Sequence, residues 1–339
     1  MIDITNPDQP AWASLRPDIK ENVGSVGKIM VMAGLFNALA KAFPDIEDRK
    51  RILRETMVTA GDWVISDEHK VPHYLETENK NLFTVPVPTD SFSLSEWVDH
   101  MISASSNASA SVVWREAMLI YKFGPDYPMQ LSIADEFFTK TPKAELHNLS
   151  QTVINEPLQA VGIQSQDMQQ GSFWTSSGKN KVPGARSYAT PRELARFLFQ
   201  LEQGRLVDDW SSLEMKKYLY MTSRRYRYAY APELHNSAIF FKSGSLYQCV
   251  PEEGYRCAKY AGNKRNHMNS IAIIESLPGS EKYYRYIVAL ISNVLKVNSA
   301  WDHSRLAVAI HHAVLTREST TVDEKGDQKQ IIDSGISDR

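Results

Sequence analysis

The run from Ile29 to Phe43 does most to decide how this chain can fold. Ile29, Met30, Met32, Ala33, Leu35, Phe36, Leu39, Ala40 and Phe43 leave it almost no polar face. A helix that is apolar all round belongs inside a core, so the run predicts a buried helix around which the rest must pack. It opens directly from Asn22-Val23-Gly24-Ser25-Val26-Gly27-Lys28. Residues three apart share one helix face, so the Lys28 amine can reach the Ser25 hydroxyl. The helix N-terminus also turns free N–H groups toward developing negative charge. A serine with a lysine at i+3 is the layout of a nucleophile activated by an amine rather than an imidazole. The plainer reading makes Ser25 an N-cap and Lys28 a first-turn surface charge. A second S-x-x-K, Ser176-Ser177-Gly178-Lys179, lies in a Gly/Ser/Lys-rich loop and shows how easily the tetrad arises. A lysine at the mouth of a buried helix needs a reason, and this favours Ser25.

The chain of 339 residues, 42% hydrophobic and 23% charged, can fill one large domain or two modest lobes. Its net charge of −2 gives no basic field for nucleic acid. No apolar stretch reaches the roughly 18 residues of a membrane span. Met1 to Asp8 lacks the basic region and apolar core of a signal peptide. Cys249 and Cys257 bracket a segment whose Pro251 and Gly254 favour a turn. A disulfide in an oxidising compartment and two free thiols both remain open. No Cys/His spacing fits zinc, and no metal or cofactor is expected.

After the buried helix, Pro44 breaks the pattern and a charged helix runs from about Asp45 to Met57. A polar connection extends from about Asp67 to Ser91. Ser93 and Glu96 form a capping box for a helix carrying Trp97, Val98, Met101 and Ile102. A further helix carries Val112, Val113, Met118, Leu119 and Ile120, and Phe123 to Arg186 reads as irregular. Thr190-Pro191-Arg192-Glu193 starts another helix, with a cap, a proline at N1 and an acid at N3. From Ser237 the character changes. Ser237 to Phe241, Met268 to Glu275 and Tyr284 to Val294 read as strands. Ala300 to Thr316 reads as an amphipathic helix with Leu306, Ala309, Ile310, Ala313 and Val314 inward. The expected outline is one domain over 1–316. It has a helical lobe over about 25–236 and a strand-and-helix lobe over about 237–316 that takes in the N-terminal segment. A polar disordered tail is expected over 317–339.

Two further stretches support Ser25. Ser105-Ser106-Asn107 sits in the turn between two helices, where a hydroxyl can relay a proton and an amide can hold both the lysine and a substrate carbonyl. Lys242-Ser243-Gly244-Ser245 follows the apolar strand run; glycine permits close approach of a ligand and Lys242 adds a cation for a carboxylate. Each alone fits an ordinary turn. Together, in this order, they resemble the signatures of the penicillin-recognising serine hydrolases, and among these the class A β-lactamases: S-x-x-K, S-D-N and K-T-G or K-S-G. Met101 to Asn107 is similar to the family's Met-Ile-Ser-x-Ser-Asp-Asn, and Ala189 to Ala195 to its Thr-Pro-x-x-Leu-Ala helix start.

The resemblance implies a mixed α/β fold with a helical lobe and an antiparallel sheet flanked by helices. It implies a serine hydrolase forming an acyl-Ser25 intermediate with a small β-lactam or a peptidoglycan-like peptide that bears a carboxylate. Lys28 would take or shuttle the Ser25 proton, Ser105 would protonate the leaving nitrogen, and Asn107 would position substrate and lysine. Lys242 and Ser243 would bind the carboxylate, beside Gly244. The Ser25 and Ser245 amides would form the oxyanion hole. Arg225 or Arg227 would add a cation. A periplasmic or secreted location is also implied. Three departures stand out. Residues 171–186 contain no acid where the family carries its deacylating glutamate, and Glu145 and Glu156 upstream lie outside that motif. Slow deacylation follows, as in a D,D-peptidase, an esterase or a non-catalytic penicillin- or peptidoglycan-binding sensor. Ser106 replaces the family's Asp. Only 24 residues precede Ser25, so a sheet short of strands is expected.

Overall fold

The computed structural model describes residues 1–75 and 78–317. The N-terminal segment forms two short strands, β1 (Ile2–Asp3) and β2 (Ala11–Trp12). A 3-10 turn over Gly24–Gly27 runs into α1 (Lys28–Ala42). α2 (Ile46–Glu55) begins where the Asp45 side chain accepts from the Glu47 and Asp48 amides. β3 (Met57–Thr59) pairs with β6 (Ser91–Ser93), and between them lies the hairpin β4 (Val71–Leu75) and β5 (Lys80–Thr84). The capping box of Ser93 and Glu96 forms as the sequence indicates and starts α3 (Leu94–Ile102). α4 (Asn107–Phe123), α5 (Leu131–Lys140) and α6 (Lys143–Ala160) follow. β7 (Met168–Gln169) and β8 (Tyr188–Ala189) pair on either side of α7 (Ser176–Lys181). α8 (Pro191–Glu202) is capped by Thr190, and α9 (Asp209–Tyr220) by Asp208. β9 (Ser237–Gln248), β10 (Arg265–Ser276), β11 (Arg285–Asn293) and α10 (Ala300–Thr316) close the chain.

The main sheet is antiparallel, in the order β2-β1-β11-β10-β9. Its two faces meet different cores. Ile271, Ile273 and Ile287 join a large cluster with α1, α4, α6 and α8, while Ile239, Phe241, Ile274 and Tyr286 pack with Ala307 and Val314 of α10. Helix α1 lies at the centre of the large cluster. Ile29, Leu35, Phe36 and Leu39 are fully buried there, and each contributes roughly 1.5–3 kcal/mol by leaving water.

Several expectations are corrected. The segment read as irregular, Phe123 to Arg186, contains α5 and α6. Leu146, Ser150, Val153, Ile154 and Leu158 form the buried face of α6 at helical spacing, and Pro157 sits inside that helix. The polar connection contains the β4–β5 hairpin. β9 continues seven residues past Phe241, so Lys242 to Ser245 lie within the strand rather than at its end. α10 has the expected bounds but a rotated inner face of His303, Ser304, Ala307, His311 and Val314, and Leu306 is exposed. Two imidazoles turn inward there because they find partners: His311 meets the Tyr286 hydroxyl and His303 the Ser292 hydroxyl. The short N-terminal segment still supplies two strands. The expected tail from residue 318 onward lies outside the described residues.

A buried ion cluster joins helices to sheet. Lys216 of α9 bridges Glu202 of α8 at 2.8 Å and also pairs with Glu275 of β10, while Arg285 of β11 reaches Glu202 at 3.1 Å. Burial raises the Glu202 pKa. Lys216→Met is therefore expected to cost about 3 kcal/mol, because it leaves the Glu202 and Glu275 carboxylates repelling each other with Arg285 alone to pair with both. Protonation relieves that repulsion. Urea unfolding should thus show the deficit shrinking from pH 8 to pH 5; a constant deficit would assign the loss to packing alone.

Candidate active site

Three segments converge on one buried amine. Lys28 opens α1 and its side chain is completely buried. Its Nζ lies 3.0 Å from Ser25 Oγ, 2.7 Å from the Ser105 carbonyl oxygen and 2.7 Å from Asn107 Oδ1. As an ammonium it donates to all three. As a neutral amine it keeps two N–H bonds for Ser105 and Asn107 and turns its lone pair to the Ser25 proton. Burial, opposed by the Asp67 carboxylate and assisted by the Arg224 cation, lowers the Lys28 pKa to about 7. The neutral form is therefore well populated near neutrality.

The other wall is β9. Lys242 is buried, and its Nζ donates to Ser105 Oγ at 2.8 Å and to the Ser243 carbonyl at 3.0 Å. Burial, and then the Lys28, Arg224 and Arg227 cations, push Lys242 well below the ordinary lysine range. Ser105 thus stands between two lysines, its carbonyl on Lys28 and its hydroxyl on Lys242. It does so with φ of +59°, a left-handed conformation that costs a non-glycine residue energy and clusters at functional sites. Gly244 lies flat against the turn that carries Ser25. A β-carbon there would fall 2.2 Å from the Val23 carbonyl oxygen and 3.0 Å from the Ser25 amide nitrogen. Only glycine lets the strand carrying Ser245 come so near the Ser25 amide. The Ser243 and Ser245 hydroxyls are half-exposed and, among the described residues, have no hydrogen-bond partner. The Asn107 amide group likewise keeps its N–H donors for something else.

The arginines divide differently from expectation. Arg227 is buried and its guanidinium donates to the Gly244 and Asn269 carbonyls at 2.7 and 3.2 Å, so it fastens β9 to β10. Arg225 donates to the Tyr220 carbonyl. Arg224, which the sequence did not single out, is half-buried, and its charge acts on both Lys28 and Lys242. The rival tetrad is elsewhere: the Ser176 hydroxyl is exposed and donates to the Ile65 carbonyl.

Three more residues escaped the sequence. The Trp174 ring centroid lies 5.2 Å from Lys28 Nζ. Gln170 is buried, and its Oε1 packs so close to Gly27 that a β-carbon there would lie 2.1 Å away; that oxygen has no partner among the described residues. Asp67 accepts from the Ser106 hydroxyl and the Ala108 amide, both at 2.8 Å. One signal pointed to Asp67. Ser106 stands where the resembled motif carries an acid, so a carboxylate from another segment has room to approach the start of α4. Glu145 and Glu156 lie far off. Glu156 pairs with Lys41 at 2.6 Å, thirteen residues beyond Lys28, or about 20 Å along the helix. Glu145 faces Lys122 at the far end of α4. Among the described residues no group of three or more metal-ligating side chains occurs, and no helix is long and apolar enough to cross a membrane. Cys249 and Cys257 are joined in a disulfide within the connection between β9 and β10.

A helical lobe set against this antiparallel sheet, with the cleft between α1, the α3–α4 turn and β9, is the β-lactamase fold. The model of the β-lactamase enzyme family matches residues 2–259, and the chain belongs to that family, which supports a hydrolase. Solved structures agree on the fold. A β-lactamase from Sphaerobacter thermophilus DSM 20745 is 14% identical with a TM-score of 0.55, over 92% of this chain and 91% of that one. A class A β-lactamase from Bacteroides cellulosilyticus DSM 14838 is 16% identical with a TM-score of 0.56, over 89% and 87%. PBP-A is 12% identical with a TM-score of 0.52, over 87% and 83%. No curated protein matches the chain.

Proposed function

We propose that this protein is a serine hydrolase that forms an acyl-Ser25 intermediate with an amide or β-lactam lying next to a carboxylate, and that it releases the acyl group slowly. One observation carries the reading: a fully buried lysine amine within hydrogen-bond distance of Ser25 Oγ, the Ser105 carbonyl and Asn107 Oδ1 at once. Neutral Lys28 takes the Ser25 proton as Ser25 Oγ attacks the carbonyl carbon. The negative charge that develops on the carbonyl oxygen is met by the Ser25 and Ser245 amides. As the C–N bond breaks, the Ser105 hydroxyl gives its proton to the nitrogen and is restored by the proton that Lys28 took from Ser25, so Lys242 keeps its own. Lys242, Ser243 and Arg224 receive the carboxylate, and the Asn107 amide N–H holds the acyl side chain. The catalytic unit spans residues 1–316, and the Cys249–Cys257 bond suits a periplasmic or secreted setting.

Slow release has its own support. No carboxylate hydrogen-bonds to Ser25 or Lys28 among the described residues; the Trp174 ring lies beside the amine, and Gln170 packs on neighbouring Gly27. This also favours a second reading, a penicillin- or peptidoglycan-binding sensor or D,D-peptidase whose acyl state persists. A time course with a fluorescent penicillin separates the cases. Label that forms and decays slowly is the expected result, and Glu145→Gln and Glu156→Gln should leave the decay unchanged. Rapid loss would restore an efficient β-lactamase, a label that never leaves would favour the sensor, and no label would overturn the acyl-enzyme reading.

A further inference from the structure

The Ser105-Ser106-Asn107 turn borrows its carboxylate from a distant part of the chain. Asp67 has no side-chain exposure. Its Oδ2 accepts from the Ser106 hydroxyl and from the Ala108 amide, one of the free amides at the N-terminus of α4. Its Oδ1 accepts from the Glu68 and His69 amides at 2.8 and 3.1 Å and lies 2.6 Å from His69 Nδ1. Both oxygens are thus fixed, one to its own segment and one to the catalytic turn. A carboxylate at that end of the helix is also favoured by the helix dipole. Burial works to raise the Asp67 pKa, but the contacts from His69, the Ala108 amide and Ser106 outweigh it and hold the carboxyl well below its usual range. The lowered pKa favours the carboxylate form of Asp67.

What Asp67 fixes is the grip on Lys28. The Ser105 carbonyl and the Asn107 side chain, on either side of Ser106, are two of the three partners of the amine. Two charged groups act on Lys28: Arg224, after α9, lowers its pKa and Asp67 raises it, while Lys28 in turn lowers that of Lys242 on β9. Asp67 is the negative one of the two, and it opposes both the Arg224 cation and the cost of burying the charged amine.

We propose that Asp67 is a positioning residue for Lys28: it pins the Ser105–Asn107 turn against the amine and supplies the negative charge that offsets Arg224 there. Its catalytic meaning rests on the acyl-Ser25 reading, but its test does not. Asp67→Asn keeps the shape and one acceptor oxygen and removes the charge; its NH2 also turns toward N–H donors, so some stability is lost besides. The Lys28 protonation midpoint, followed by NMR of lysine labelled at Cε and assigned by its loss in Lys28→Met, should fall by about one pH unit. The rise of labelling rate with pH should move by the same amount, which makes labelling about tenfold faster at pH 5, where Lys28 is mostly protonated in both proteins. Ser106→Ala removes a contact but no charge and should leave the midpoint in place. A purely structural Asp67 would alter the melting temperature of Asp67→Asn and leave the midpoint unmoved, and that result overturns the proposal. If Asp67→Asn does not fold, the double variant Asp67→Asn with Ser106→Asp returns a carboxylate to the same helix end. A wild-type midpoint in that protein supports the proposal, and a lowered one overturns it. If the wild type never labels, the hydrolase reading fails and the NMR titration still decides the role of Asp67.

Discussion

Ser25→Ala is expected to abolish covalent labelling by a fluorescent penicillin and to leave the protein folded. The hydroxyl makes one hydrogen bond, to Lys28, so its removal costs about 1 kcal/mol. Alanine suits the start of a helix, and neighbouring Val26 and Gly27 stay packed. The chemical loss is complete because no other serine hydroxyl among the described residues is bonded to the Lys28 amine. Ser105 Oγ is held by Lys242, and Ser176 faces solvent with its hydroxyl on a backbone carbonyl. Intact-protein mass spectrometry after incubation with penicillin should show the adduct on the wild type and none on the variant, with matching circular dichroism. An adduct on the variant would move the nucleophile elsewhere.

Lys28→Met should lower the rate of acylation by about 10²- to 10⁴-fold, the range for loss of a positioned general base. The wild type should also show a distinctive pH dependence. Only the neutral amine can accept the Ser25 proton. With its pKa lowered to about 7, the neutral fraction rises roughly tenfold per pH unit below that value and levels off above it. Stopped-flow labelling from pH 5 to pH 9 should trace this rise, and Lys28→Met should give a flat, low line. A wild-type rate that falls between pH 5 and pH 8 would mean that the protonated amine is the active form. Stability should change little. Methionine fills the space without the cost of a buried amine, and against this stand the Ser105 and Asn107 oxygens left without a donor.

Much of the site was legible because it is written in short, local patterns. A helix apolar on all sides with Ser25 and Lys28 at its mouth can hardly sit anywhere but in the core, and the caps at Ser93 and Thr190 fix two helix starts from a few residues each. The missed pieces depend on contacts made across the fold. α6 buries Ser150 and carries Pro157, so its apolar stripe is thin, and α9 buries Ser211 and Ser212, which no hydropathy pattern marks as core. The inner face of α10 was misread because His303 and His311 become core residues only through hydroxyls on β11. Asp67, Gln170 and Trp174 reach Lys28 or its turn from segments that carry no motif. Arg227 was read as a substrate cation because its charge is visible in the sequence, whereas the carbonyls that occupy it are not.

The position of β9 at the end of the sheet order has a consequence for how the protein keeps to itself. A terminal strand has one flank of backbone groups with no neighbour, and such a flank invites other chains to add to it and aggregate. In this molecule the flank runs beside the turn carrying Ser25, and Gly244 touches that turn directly. Lys242 lies under Ser105, placing a second barrier along the same strand. A long foreign strand cannot lie down there; a short extended ligand can. The same walls that build the cleft thus shield this edge of the sheet from strand addition, so widening the cleft to admit bulkier ligands would be expected to expose that edge as well.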